Sequence, residues 1–112
     1  MNLCLRHGKK KVKIKIKKLS FFGRIVGLMF TRREKAKALL FDFRKSTKIA
    51  IHSLFVFFPF VAIWLDDKNK IIDLKVIKPF NFSVRPKKSF HKLVEIPVNK
   101  KYLKIIKSLV GN

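Results

Sequence analysis

The sequence predicts a mainly β fold, a small antiparallel β-barrel or sandwich with one or two short helices. Three observations carry that expectation. Residues 9–18 alternate lysine with apolar side chains at a period of two, the pattern of a strand with one wet and one buried face. The longest apolar run, IAIHSLFVFFPFVAIWL at 49–65, is dominated by Phe, Val and Ile, which prefer strands, and carries Pro59 near its middle. Behind it, Asp66-Asp67-Lys68-Asn69-Lys70 reads as a hairpin loop in which Asn69 takes the left-handed conformation. Ile72, Leu74 and Val76 then form the return strand, with Asp73 and Lys75 outside.

At 112 residues the chain holds one domain, and a hydrophobic content of 48% argues against disorder throughout. The charge is unusual: Lys+Arg number 28 against 6 Asp+Glu, a net of +22. Small domains typically carry a magnitude of about 2–8. An AT-rich genome accounts for the lysines and the twelve phenylalanines, but not for the scarcity of acids, because glutamate codons are AT-rich too. The depletion of acids therefore points to an anionic partner. Cys4 is the single cysteine and cannot form an internal disulfide. The first ten residues contain no apolar stretch of signal-peptide length, so the expected compartment is the cytoplasm.

Taken in order, residues 1–8 read as a flexible end, and the domain proper as 9–112. Lys9, Lys11, Lys13, Lys15 and Lys17 share one parity of the first strand, and Val12, Ile14 and Ile16 the other. Same-parity lysines project side by side, roughly 6–7 Å apart. This comb suits a polyanion backbone, and it equally suits an edge strand protected from aggregation by charge. Ser20 caps a short helix over 21–30, with Phe22, Ile25, Val26 and Met29 on one face. Leu39, Phe41 and Phe43 alternate with Leu40, Asp42 and Arg44 in another strand, and 44–48 form the turn after it.

The central run holds 17 residues, the short end of what a membrane helix needs, which is ~17–25. Pro59 would break such a helix, and His52 and Ser53 would need partners in lipid. Two strands meeting at the proline is the better reading: 49–58, apolar on both parities and so covered on both faces, and 61–65. Residues 79–86 form a loop holding Phe80 and Phe82. Phe90, Val94, Ile96 and Val98 share a parity, giving a strand that ends near Pro97. From 100 to 110 the period becomes helical. Tyr102, Leu103, Ile106, Leu109 and Val110 line one face, Lys100, Lys101, Lys104 and Lys107 the other, and Gly111 ends the helix.

Set in order, these segments resemble a known family. Gly27-Leu28-Met29-Phe30 resembles the G-L-M-F signature of the domain-of-unknown-function 192 family. Leu39-Leu40-Phe41-Asp42-Phe43 is similar to its next strand. Residues 51–66, from Ile51-His52-Ser53 through Phe58-Pro59 to Trp64-Leu65-Asp66, resemble its central block in the archaeal form. Leu93-Val94-Glu95-Ile96-Pro97 resembles its V-L-E-L-P strand. The resemblance implies a mainly β barrel or sandwich with short helices and no assigned activity. Three departures stand out. Val61 replaces an acidic residue usual two places after the central proline, so a function resting on that carboxylate would be altered here. Asn99 replaces a common glycine, which a left-handed turn tolerates. The family pattern runs past a closing Gly-Asp where this sequence has Gly111-Asn112, so a final strand is expected to be missing.

The six acids offer no acid–base pair: Asp66 and Asp67 belong to a turn, Glu34 to a basic loop, and Asp42, Asp73 and Glu95 to outward or edge positions by parity. Cys4 and His7 have the spacing of half a metal site, which chance explains, so no metal or cofactor is expected. His52, inside a buried strand, reads as a hydrogen-bonded core histidine and is the one residue kept as a functional candidate. No triad spacing, phosphate loop or dinucleotide fingerprint is present. Binding has more support. Lys9, Lys11, Lys13, Lys15 and Lys17, with Arg85, Lys87 and Lys88, are the predicted polyanion contacts, and Phe80 and Phe82 either stack on bases or pack beneath their loop. The expected partner is RNA or a ribonucleoprotein. The alternatives are an anionic membrane surface held by the lysines and the tail helix, and an enzyme whose site is particular to the family.

Overall fold

In the computed structural model, the described residues are 2–18, 33–50, 56–80 and 84–110. They form a mainly β fold with one short α-helix, as the sequence predicts. The helix expected over 21–30, the 27–30 motif, His52, Phe82 and Gly111 lie outside the described residues.

Strands β1 (Asn2–His7) and β2 (Lys10–Lys15) pair as an antiparallel hairpin with Leu3 opposite Ile14 and Leu5 opposite Val12. The expectation of a flexible end over 1–8 is therefore corrected. Leu3 and Leu5 are both buried, and that apolar burial is what orders the segment. Gly8 makes the tight turn possible: its φ of 62° occupies the first central position of a two-residue loop, where such turns want glycine.

The remaining strands are β3 (Lys17–Lys18), β4 (Leu39–Thr47), β5 (Phe60–Leu65), β6 (Ile71–Ile77) and β7 (Phe90–Pro97). They form a five-stranded sheet in the order β3-β4-β7-β5-β6. Its pairings are antiparallel except for β3 with β4, which is parallel, and neither sheet closes on itself. Among the described residues β5 and β7 lie at the centre, and every residue of β5 is buried. The Asp66–Lys70 loop joins β5 to β6 as expected: Asn69 has φ 65°, and Asp66 Oδ1 accepts the N–H groups of Lys68 and Lys70 at 2.8 and 2.9 Å. Strand β4 runs on to Thr47, past the turn expected at 44–48. A bulge absorbs the turn residues, with Arg44 at φ 57° and its N–H held by Asp42 Oδ1 at 2.9 Å.

The sheet has two covered faces. On one, the hairpin and α1 (Leu103–Val110) pack Leu5, Ile14, Ile106 and Leu109 onto Leu40, Ile63, Val94 and Ile96. The helical stripe is narrower than predicted, because Leu103 and Val110 remain exposed. On the other face lies an aromatic cluster of Phe41, Phe58, Phe60, Trp64 and Phe90 with Leu39 and Leu93. Here the strand expected over 49–58 is corrected at its described residues, 51–55 lying outside them. The described residues 49–50 and 56–58 are not strand, and Val56 and Phe58 instead bury over the aromatic cluster while Phe57 stays out. An all-apolar segment satisfies burial equally well by covering a sheet as by joining it.

Candidate functional site

The lysine comb is presented as its parity requires. Val12 is half-buried and Ile14 and Ile16 are buried, while Lys11, Lys13 and Lys15 are exposed on the opposite face of β2. Lys9 lies in the hairpin turn, and Lys17 begins β3 after a break at Ile16; both are exposed. The hairpin crosses the sheet. Its turn end is tied to the β5–β6 loop by the Arg6 N–H donating to the Asn69 carbonyl at 3.0 Å, and its far end reaches the β3 edge.

At that edge the comb opens into a cleft of about 370 Å³ lined by Lys15, Ile16, Lys17, Lys18, Lys37, Lys101 and Tyr102. The backbone behind it is tied in two places. The Lys17 N–H donates to the Ala38 carbonyl at 2.9 Å, and the Ala38 N–H donates to the buried Tyr102 hydroxyl at 2.8 Å. Lys101 Nζ lies 5.5 Å from the centre of the Tyr102 ring, a cation–π contact. No acid lines the cleft among the described residues.

A second cleft of about 480 Å³ shares Lys101 and adds Arg33, Glu34, Asn99, Lys100 and Leu103. Asn99 is extended, with φ −141°, so the left-handed turn expected there is corrected. Its side chain explains its place: Nδ2 donates to the carbonyls of Arg33 and Ala36, at 2.8 and 3.2 Å, and stitches the 33–36 turn to the start of the helical tail. Arg33 Nε answers by donating to the Val98 carbonyl at 2.6 Å.

Arg85, Lys87 and Lys88 are exposed, but they flank β6, the edge opposite β3, and none lines the lysine cleft. Phe80 is exposed at φ 64° and meets the exposed Phe57 edge-on at 5.5 Å. Cys4 and His7, three apart on β1, fall on opposite faces of the strand. Lys18, Lys37 and Lys101 were not among the predicted contacts. Only the tertiary fold brings β3, the 36–38 segment and the turn before α1 together.

Two acids lie differently from the sequence expectation. Asp73, expected outside, is buried, while Val76 is exposed. The 85–88 segment covers that side of β6, and Asp73 accepts the N–H groups of Leu74 at 2.8 Å and Lys87 at 3.0 Å. Lys75, at 4.0 Å from Asp73, donates to the Arg85 carbonyl at 2.6 Å and lies 5.8 Å from the centre of the Trp64 ring. Glu95, also expected at an outward or edge position, is buried in the central strand β7, opposite Leu39 and Ala62 on the aromatic face. Burial away from water raises its carboxyl from an ordinary 4.5 to about 8. Trp64 Nε1 is buried on the same face without a hydrogen-bond partner among the described residues. The signal that could have found Glu95 is its setting: Leu93-Val94-Glu95-Ile96-Pro97-Val98 is otherwise apolar on both parities, which marks a strand covered on both faces.

Among the described residues no helix is long and apolar enough to cross a membrane. A 1.22 Å crystal structure of a protein of unknown function from Novosphingobium aromaticivorans shares the fold, with a TM-score of 0.72 over 93% of this chain and 76% of that one, at 9% identity. In sequence, a UPF0127 protein of Pyrococcus furiosus is 35% identical over 80 residues, covering 70% of this chain and 66% of the relative. A UPF0127 protein of Thermococcus sibiricus is 35% identical over 81 residues, covering 70% of this chain and 51% of the relative. The chain thus matches about two thirds of the length of the first of these archaeal relatives and about half of the second. The family model for DUF192, described as an uncharacterized ACR, matches residues 3–103, and the chain belongs to that family.

Proposed function

We propose that this chain binds a polyanion, RNA or the RNA of a ribonucleoprotein, through the outer face of the β1–β2 hairpin. The observation that carries the reading is the row of exposed lysines on β2, Lys11, Lys13 and Lys15, running without an intervening acid into the lysine-lined cleft at the β3 edge. A phosphate backbone is a periodic line of single negative charges, and a strand with lysine at every second position offers a periodic line of positive ones. Edge protection calls for charge on the strand but not for a row that continues into a lysine-lined cleft. Exposed Arg85, Lys87 and Lys88 add to the attractive field from the far side of the sheet without joining the row.

The tail helix adds lysines and not an apolar anchor. Ile106 and Leu109 are buried against the sheet, so the centre of the stripe a membrane helix would offer to lipid is used in the core, and only Leu103 and Val110 at its ends are exposed. The test is direct titration of purified protein with a single-stranded RNA oligomer and with vesicles of mixed anionic and neutral lipid, at low and at physiological salt. The reading expects RNA binding that weakens steeply with salt. Binding to vesicles with none to RNA would replace it with a membrane-surface role.

A further inference from the structure

Resting on the polyanion reading, we infer that the cleft at the β3 edge is a subsite of its own, shaped for consecutive phosphates on one ligand, a di- or triphosphate group. The comb and the cleft share Lys15 and Lys17 but are built differently. The comb's lysines follow one another along a single stretch of chain, from the hairpin turn through β2 to the start of β3, each facing solvent. In the cleft, Lys15, Lys17, Lys18, Lys37 and Lys101 converge from three places far apart in sequence around one volume of about 370 Å³. The Lys17–Ala38 and Ala38–Tyr102 hydrogen bonds fix the backbone from which they project. Ile16 and Tyr102, both buried, form the apolar part of its wall. A low-dielectric wall strengthens the field that the lysines project into the cleft.

Charge matching selects the ligand. Five lysines and no acid are more than one phosphodiester, with its single negative charge, can balance. A terminal phosphate monoester brings about two charges at neutral pH, and a di- or triphosphate brings more. Among the described residues nothing in the lining offers a stacking platform for a base, since Tyr102 is 4% exposed and Lys101 lies over its ring. The ligand is therefore read through its phosphates and not its base. Because the comb leads straight into the cleft, one chain can occupy both, its phosphorylated end in the cleft and its diesters along β2. A free nucleotide carries the same phosphate chemistry.

The experiment compares three proteins: the parent; a cleft variant, Lys18→Gln/Lys37→Gln/Lys101→Gln; and a comb variant, Lys9→Gln/Lys11→Gln/Lys13→Gln. Both variants lose the same charge. Each is titrated with one RNA decamer bearing a 5′-triphosphate, the same decamer bearing a 5′-hydroxyl, inorganic triphosphate and ATP. The substitutions are at exposed positions, so circular dichroism spectra are expected to match the parent's. The parent is expected to prefer the triphosphate end by about tenfold or more, the worth of one charge-assisted hydrogen bond. The cleft variant loses that preference and keeps its affinity for the hydroxyl-ended decamer; the comb variant loses affinity for both decamers and keeps the preference. If inorganic triphosphate and ATP bind in a cleft-dependent way while neither decamer does, the subsite stands and the RNA reading falls. Equal weakening of every ligand by both variants would overturn the subsite, leaving only a general field of positive charge. Absence of binding by all four ligands would overturn both.

Discussion

The two sides of this sheet treat charge in opposite ways. On the hairpin side, Lys11, Lys13 and Lys15 stand in water with their strand's apolar residues beneath them. On the aromatic side, Glu95 and Asp73 are each 7% exposed, Glu95 paired across the sheet with Leu39 and Ala62 and Asp73 with Trp64. A charge kept in water costs the fold little and remains available to a partner. A charge taken from water must be hydrogen-bonded or must neutralise. Asp73 follows the first course, accepting two backbone N–H groups, and Glu95 the second, holding its proton up to about pH 8. The outer face of the hairpin is therefore where the proposed interaction can be altered with little effect on stability, and the aromatic side, like the apolar residues beneath the hairpin, is where stability is decided.

The largest test of that division is Phe90→Ala. Phe90 is fully buried and packs edge-on against Phe43 at 5.5 Å and Trp64 at 6.5 Å. Its truncation should cost about 3–5 kcal/mol, measured as a fall in the urea midpoint. A loss below about 1 kcal/mol would mean that the aromatic face is not a packed core.

Next comes the pH dependence carried by Glu95. The unfolded chain releases this proton near 4.5 and the folded chain only near 8. Below about 4.5 both states hold it and its favourable contribution is complete; between the two values only the folded state does. The contribution is lost as pH rises through that window, at up to about 1.4 kcal/mol per pH unit, and falls no further above it. Glu95→Gln removes the effect, so the variant's stability relative to the parent should climb from pH 5 to pH 8. A difference independent of pH would show that Glu95 ionises normally. Trp64 is the one tryptophan, on the same face, so its fluorescence in the parent should report the same titration.

Asp73→Ala should cost roughly 1–3 kcal/mol, because the Lys87 and Leu74 N–H groups lose their acceptor. Hydrogen exchange at Lys87 should accelerate with it. An unchanged exchange rate would mean that the 85–88 segment is held by other contacts.

How much of this was legible in the sequence follows the same division. The comb could be read because wet and buried residues alternate strictly at 11–17, and alternation is the direct imprint of a two-faced strand. Asn69 could be read because a short turn needs a residue that tolerates positive φ. Lysines 18, 37 and 101 could not be assembled into a cleft, since no local pattern encodes the parallel β3–β4 pairing that joins them. The sequence hides strand β1 because Cys4, Arg6 and His7 obscure the alternation of Leu3 and Leu5, and only pairing with β2 gives those leucines a core to enter. Parity puts Glu95 and Asp73 outside because it sorts polar from apolar residues on the assumption that one face is wet. That assumption fails for a sheet covered on both faces.

The smallest expected change in stability belongs to the comb, and it accompanies the most direct test of the account. Lys11→Gln/Lys13→Gln/Lys15→Gln should leave the urea midpoint within about 0.5 kcal/mol of the parent, because these side chains are exposed. The decisive measurement is the slope of log K against log salt for a single-stranded RNA oligomer, in parent and triple variant. If the row follows a phosphate backbone, the variant's slope should be shallower by roughly 2–3 units, with binding weakened similarly across sequences. If the variant binds with the parent's affinity and salt slope, the lysines only protect the hairpin, and the proposal of a polyanion partner on this face is contradicted.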